Sequence, residues 1–264
     1  MPQGVCPLCL QTKDLRDSHL LAKSYYKLAR KAGDKNPNPV VVGGDVAIKT
    51  SKQVTAYLLC ADCEHRFNTA GEKWVIENGW KSVTDFPIHA ALAAAQPVYA
   101  GADLKVYAGN AINGIDPDKL GYFAASVFWR AAAHKWKVEN SDDPIFIDLG
   151  PYTEELRVFL MGGAFPPNAA IIVTANSSPS VVLNEFALFP FDKARTTTHR
   201  QYKFLVPGLG FELFTGKGLP SSVRQMCIIR SAERKLFISP KMEEQTLNGM
   251  AELAGKAKKI GNTQ

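Results

Sequence analysis

The sequence has no apolar run of about 18 residues or more, so a transmembrane helix is not expected. Its first residues, Met1-Pro2-Gln3-Gly4, lack the charged segment followed by an apolar stretch that marks a secretory signal. Cysteine is scarce, with 5 in 264 residues. A small, odd number fits a reducing compartment and metal ligation better than a disulfide framework. A cytoplasmic protein without membrane contact is therefore expected. No Gly-x-Ser-x-Gly elbow occurs, which removes the serine-hydrolase signature. Pro207-Gly208-Leu209-Gly210 lacks the Lys-Ser/Thr of a phosphate loop and a following helix, so it reads as a β-turn. Internal repeats and low-complexity segments are also missing.

What is present supports a folded chain. Apolar residues make up 46% and charged ones 21%, enough for a buried core and against disorder. The net charge of +6 is compatible with a nucleic-acid partner, and equally with an ordinary soluble surface. Four of the cysteines fall in two pairs, Cys6-Pro-Leu-Cys9 and Cys60-Ala-Asp-Cys63. Each Cys-x-x-Cys knuckle points two thiolates the same way, and two knuckles supply the four sulfurs of a structural zinc site. Such a site has no open position for water or substrate, so the ion would hold the fold and not perform chemistry. Cys227 lies in the apolar run Met226-Cys227-Ile228-Ile229 and reads as a buried free thiol.

Residues 1–75 read as a small module with too few apolar residues to hold itself together, which is a separate reason to expect a bound metal. Leu21–Lys31 has helical spacing, Gly33–Pro39 is a turn-rich break, and the two valine-rich runs around Gly43-Gly44-Asp45 suggest a hairpin. From Asp62 to about Asn78 the pattern is again helical. Residues 76–264 form the second expected unit, helical over 76–164, β-rich over 165–240, with a terminal helix at 243–259. Asp116–Lys137 is the clearest helix, with Asp116 as its cap and Pro117 in its first turn. Its Trp129, Arg130, His134 and Trp136 read as aromatic core plus a solvated arginine. Short β-rich runs at 170–174, 181–189, 201–206, 210–214, 226–229 and 235–238 suggest an antiparallel sheet. Lys23, Lys27, Arg30 and Lys31, beside Tyr25 and Tyr26, could follow a nucleic-acid backbone or form a solvated helix face.

The order of features over residues 1–75 resembles the zinc-bearing branch of the HNH, or ββα-metal, endonuclease superfamily. The residues that carry it are Cys6 and Cys9, then Ser18-His19-Leu20, then Gly43-Gly44, then Leu58-Leu59-Cys60-Ala61-Asp62-Cys63-Glu64. The remainder of the chain resembles nothing comparable. The resemblance implies an N-terminal zinc-stabilised ββα module over residues 1–75; with the helical middle, the C-terminal antiparallel sheet and the terminal helix read from the residues above, the expected fold class is α+β. The resemblance also implies phosphodiester hydrolysis on DNA, or second RNA, with His19 as general base and Mg²⁺ or another divalent cation at the phosphate. Glu64 stands where the family has its second histidine, with His65 directly after it and Asn68 one turn on, so the candidate catalytic set is His19, Glu64, His65 and Asn68. Ser18 replaces the family's aspartate, with Asp17 one place off. The middle asparagine falls near Thr55, with Gln53 close by. A nuclease of this kind would suit a defence or toxin-like role. The alternative is a degenerate zinc module that binds nucleic acid or a protein partner without cutting.

Overall fold

A computed structural model describes residues 1–28, 40–43, 46–49, 53–138 and 144–261; the Gly33–Pro39 break and Arg30 and Lys31 lie outside this range. The chain opens with β1 (Gln3–Val5) and β2 (Thr12–His19), followed by α1 (Lys23–Leu28). Two short strands, β3 (Val40–Gly43) and β4 (Val46–Lys49), pair with each other, Gly43 opposite Val46. β5 (Thr55–Cys60) then completes a three-stranded antiparallel sheet in the order β1-β2-β5.

A helical rod leaves the end of β5 directly. It comprises α2 (Ala61–Phe67), a π-helical turn (Asn68–Glu72) and α3 (Lys73–Asn78), with helical dihedrals across both junctions. Asp62 and Glu64 in its first turn complement the positive end of the helix dipole. The π-helical turn adds a residue to one turn and so resets which side chains face inward. Gly71 in that turn is buried. A Cβ there would come within 2.8 Å of the Lys119 carbonyl oxygen and the Phe123 backbone nitrogen, so only glycine lets the next long helix cross this closely.

α4 (Pro87–Ala94) follows, then two short strands, β6 (Tyr99–Ala100) and β7 (Lys105–Ala108). α5 (Pro117–Ala133) begins where the sequence expects, with Lys119 N–H donating to the Asp116 carboxylate at 3.0 Å. α6 (Tyr152–Leu160) carries Glu154 and Glu155 in its first turn. The C-terminal part supplies β8 (Ala169–Ala175), β9 (Leu188–Arg195), β10 (Arg200–Val206), β11 (Leu209–Thr215), α7 (Ser221–Gln225), β12 (Lys235–Ile238) and α8 (Pro240–Gly261). Among the described residues, no helix is long and apolar enough to cross a membrane.

The large sheet departs from the expected antiparallel one. Seven strands run in the order β6-β7-β12-β8-β11-β10-β9, and β12 lies parallel to β8. β12 runs opposite to β11, as a hairpin return would, but the chain goes through α7 to the other side of β8, and because β11 is antiparallel to β8 this makes β12 parallel to it. β6 and β7 also come from the stretch expected to be helical. Met226–Ile229, read as a strand, is instead the turn after α7, anchored by Ile228 N–H to the Ile171 carbonyl at 2.8 Å. Val181–Phe189 splits into a 3₁₀ turn (Val182–Glu185) and the start of β9. Pro207-Gly208 forms the β10–β11 turn, with Gly208 at φ +84°.

α5 is buried on nearly every side from Leu120 to Ala131. A helix apolar all round belongs between two layers. One side meets the sheet, with Phe123 5.4 Å from Phe211 and Phe128 4.9 Å from Phe204, ring centre to ring centre. The other meets the N-terminal module, with the Phe67 ring edge-on to Trp129 at 5.9 Å. The hydrophobic core is continuous from Cys6 and Leu8 through α5 to Ile238. The module that looked too small to hold itself leans on α5. Each large side chain buried there contributes about 1.5–3 kcal/mol. α8 packs Leu247 and Met250 against Leu183, Leu188 and Leu205.

Candidate functional site

The four paired cysteines converge. Cys6 and Cys9 sit in the turn between β1 and β2, closed by Leu10 N–H to the Cys6 carbonyl at 2.8 Å and Cys6 N–H to the Gln11 carbonyl at 2.9 Å. Leu10, the residue after the knuckle, takes the left-handed conformation at φ +62°. Cys60 ends β5 and Cys63 lies in the first turn of α2. All four sulfurs lie within 4.8 Å of one another, and Cys9 Sγ is 3.9 Å from Cys60 Sγ. A tetrahedral zinc with Zn–S bonds of about 2.3 Å would space its sulfurs about 3.8 Å apart, so the quartet has the size to hold such an ion. None of the five cysteines is in a disulfide.

The thiols differ in environment. Burial pushes Cys63 far up, and burial also raises Cys9. Cys6 goes the other way: burial opposes its thiolate, but the backbone N–H groups of Cys9, Cys60 and Leu8 outweigh it and lower its pKa. Four clustered sulfurs, three of them on buried residues, cannot all carry charge without a cation between them, and that requirement is the chemistry of a divalent-metal site. Two further contacts hold the frame. Arg157 on α6 donates to the Leu8 carbonyl at 2.8 Å while its fork grips Glu154, and Lys13 pairs with Asp62 at 2.7 Å on the surface.

His19 ends β2, half-buried and opposite Thr55. Its Nε2 is 2.5 Å from Gln53 Oε1. With the amide oxygen as acceptor, Nε2 carries the hydrogen and Nδ1 keeps its lone pair. The His19 carbonyl accepts from Arg130 at 2.7 Å. Arg130 is 1% exposed and also donates to Glu72 Oε2 at 2.7 Å, with its guanidinium 5.3 Å from the centre of the Phe67 ring. The solvated arginine expected from the sequence is thus a buried one. It lies in helical register with Phe123 and Val127, which are buried on the same α5.

The other expected residues are placed as follows. Ser18 is buried and its hydroxyl accepts from Leu59 N–H at 3.1 Å, so it ties β2 to β5 where the strands bulge. Asp17 points to solvent. Glu64 is half-buried, and its Oε1 is fully buried with no hydrogen-bond partner among the described residues. His65 and Asn68 are exposed on the helical rod. Among the described residues, the cysteine quartet is the one group of three or more His, Cys, Asp or Glu side chains whose ligand atoms gather closely, so His19, Glu64 and His65 form no second preformed cage. Tyr25 and Tyr26 are buried and unable to stack on bases. Tyr26 takes the Val54 N–H at 3.1 Å, and burial pushes its hydroxyl up to about 12. Glu72 and Arg130, absent from the expected site, connect the helical rod to the His19 backbone. Comparison with protein-family models, curated proteins and solved structures gives no match for the chain.

Proposed function

We propose that residues 1–75 are a zinc-stapled HNH-like module and that the protein hydrolyses phosphodiester bonds in DNA, with His19 as general base. The observation that supports this reading is the mounting of His19. Its ring is held at Nε2 by Gln53 and its backbone by Arg130, and among the described residues Nδ1 has no partner, so in this reading Nδ1 serves as the base. Gln53 would then do what the family's middle asparagine does. Structural zinc in the cysteine quartet would fix β2 and α2 relative to one another.

In this reading His19 Nδ1 takes a proton from a water as the water oxygen bonds to phosphorus. The bond from phosphorus to the leaving 3′ oxygen breaks, and that oxygen is protonated by solvent. A hard divalent ion such as Mg²⁺ would supply charge neutralisation at the phosphate. Glu64 would be its protein ligand, and since no second group of ligand atoms converges among the described residues, substrate oxygens and water would have to complete its coordination.

A second reading has its own support. The absence of a second ligand cluster among the described residues, with Ser18 committed to the sheet, fits a zinc module that binds nucleic acid without cutting it. Supercoiled plasmid incubated with the protein and Mg²⁺ or Mn²⁺ separates the two. Nicking by wild type that is lost in His19→Ala, with zinc content unchanged, supports the nuclease. Retention of DNA with no cleavage under any divalent ion supports the binding module instead.

A further inference from the structure

A cleft of about 490 Å³ opens at the far end of the large sheet, between α7, the segment leading into β12, and the start of β8. Its volume lies within the usual range for sites that take small ligands or parts of larger ones. Arg224, Arg230 and Lys235 line it, together with Glu233 and the neutral donors Gln225 and Ser231. Glu233 is already committed to Lys235, at 3.1 Å. Arg224 and Arg230 form no ion pair among the described residues.

The two arginines are nonetheless held. Arg224 Nε donates to the Leu219 carbonyl at 3.2 Å, and one terminal nitrogen of Arg230 donates to the Pro166 carbonyl at 3.1 Å. Each bond fixes one edge of a planar fork while both residues stay exposed to solvent. Neutral carbonyls orient the guanidinium groups without cancelling their charge. Two oriented forks at one cleft, with Lys235 and Glu233 paired beside them, offer donors suited to a tetrahedral oxyanion, since guanidinium matches phosphate oxygens in pairs.

We infer that this cleft binds a phosphate ester, with Arg224 and Arg230 as the recognising groups. The ligand comes either from the backbone of a nucleic-acid strand or from a free phosphate or nucleotide. The assignment does not depend on His19 or on cleavage.

Fluorescence anisotropy of a labelled single-stranded 12-mer, measured across salt concentrations, tests this directly. Arg224→Ala/Arg230→Ala should weaken binding roughly tenfold and reduce the magnitude of the salt slope by about 1.4. Lys217→Ala/Lys241→Ala removes the same charge from exposed positions outside the cleft and should change binding less than about twofold. Displacement of the 12-mer by millimolar inorganic phosphate or a nucleoside monophosphate assigns a small phosphate ester. Resistance to them assigns a polynucleotide strand. Equal losses in the two double variants would overturn the inference. So would failure of wild type to bind both the 12-mer and inorganic phosphate, the latter followed by arginine Nε–H chemical shifts.

Discussion

Replacing Arg130 with Met keeps an apolar stem over Phe67 and removes the guanidinium. Three hydrogen bonds are lost, to the His19 carbonyl and Glu72 Oε2 at 2.7 Å each and to Ser126 Oγ at 3.4 Å. Glu72, 17% exposed, is left charged beside an apolar side chain. Removing one partner of a buried ion pair costs about 3–5 kcal/mol, and the partial access of Glu72 to water puts Arg130→Met near 3 kcal/mol. At about 2–4 °C per kcal/mol for chains of this size, Tm should fall by roughly 6–12 °C. Glu72→Gln is the matching single variant, and the pair closes a double-mutant cycle. Direct contact predicts a coupling of at least ~1.5 kcal/mol, with the double variant less damaged than the sum of the singles. Urea unfolding followed by tryptophan fluorescence measures all four proteins, with Trp129 adjacent to the changed site. A loss below about 1 kcal/mol for Arg130→Met, or strict additivity in the cycle, would refute the claim that this pair joins α5 to the N-terminal module.

Purified protein should contain one zinc per chain by elemental analysis, and Cys63→Ser should lose the metal and lower Tm by more than about 10 °C; a zinc-free chain of unchanged stability would remove the metal site. Glu212 accepts from Lys193 at 2.8 Å and Gln201 at 2.6 Å, with Lys203 at 3.6 Å. Glu212→Leu should therefore cost about 3–5 kcal/mol in urea unfolding, against less than about 1.5 for Lys203→Met, because burial already disfavours the Lys203 charge and Lys193 remains on Glu212. The reverse order would contradict this account. Arg200 holds the Asp148 carboxyl below its usual value, helped by Gly150 N–H. A depressed carboxylate stabilises the fold above its unfolded pKa, and that contribution disappears as pH falls through the folded value. Asp148 is 58% exposed, so Asp148→Asn should flatten the acid limb of a stability–pH curve by less than about 1 kcal/mol.

The cysteine quartet was legible because metal ligation demands a fixed residue type at fixed spacing, and Cys6-x-x-Cys9 with Cys60-x-x-Cys63 meets that demand without reference to anything else in the chain. The caps and periodicity of α5 were legible for the same local reason. The burial of Arg130 was not legible: the sequence read as a solvated arginine, and a charge is tolerated inside only because Glu72 and the His19 carbonyl arrive from distant parts of the chain. Gln53 was half legible: its proximity to the expected asparagine position was visible, its bond to His19 was not.

The sequence by itself determined the local features: two knuckles, the rod after Cys60, the cap of α5, the Pro207-Gly208 turn, and the strand runs of β8, β10, β11 and β12. Each depends on residues within a few positions of one another, where spacing and backbone preference decide. Only the tertiary structure decided that β12 runs parallel to β8, that β6 and β7 join the same sheet, that α5 is shared between the N-terminal module and the sheet, and that Arg224 and Arg230 face one cleft. Those outcomes depend on which distant surfaces bury each other and which buried charges find partners, and no local pattern in the chain encodes that pairing.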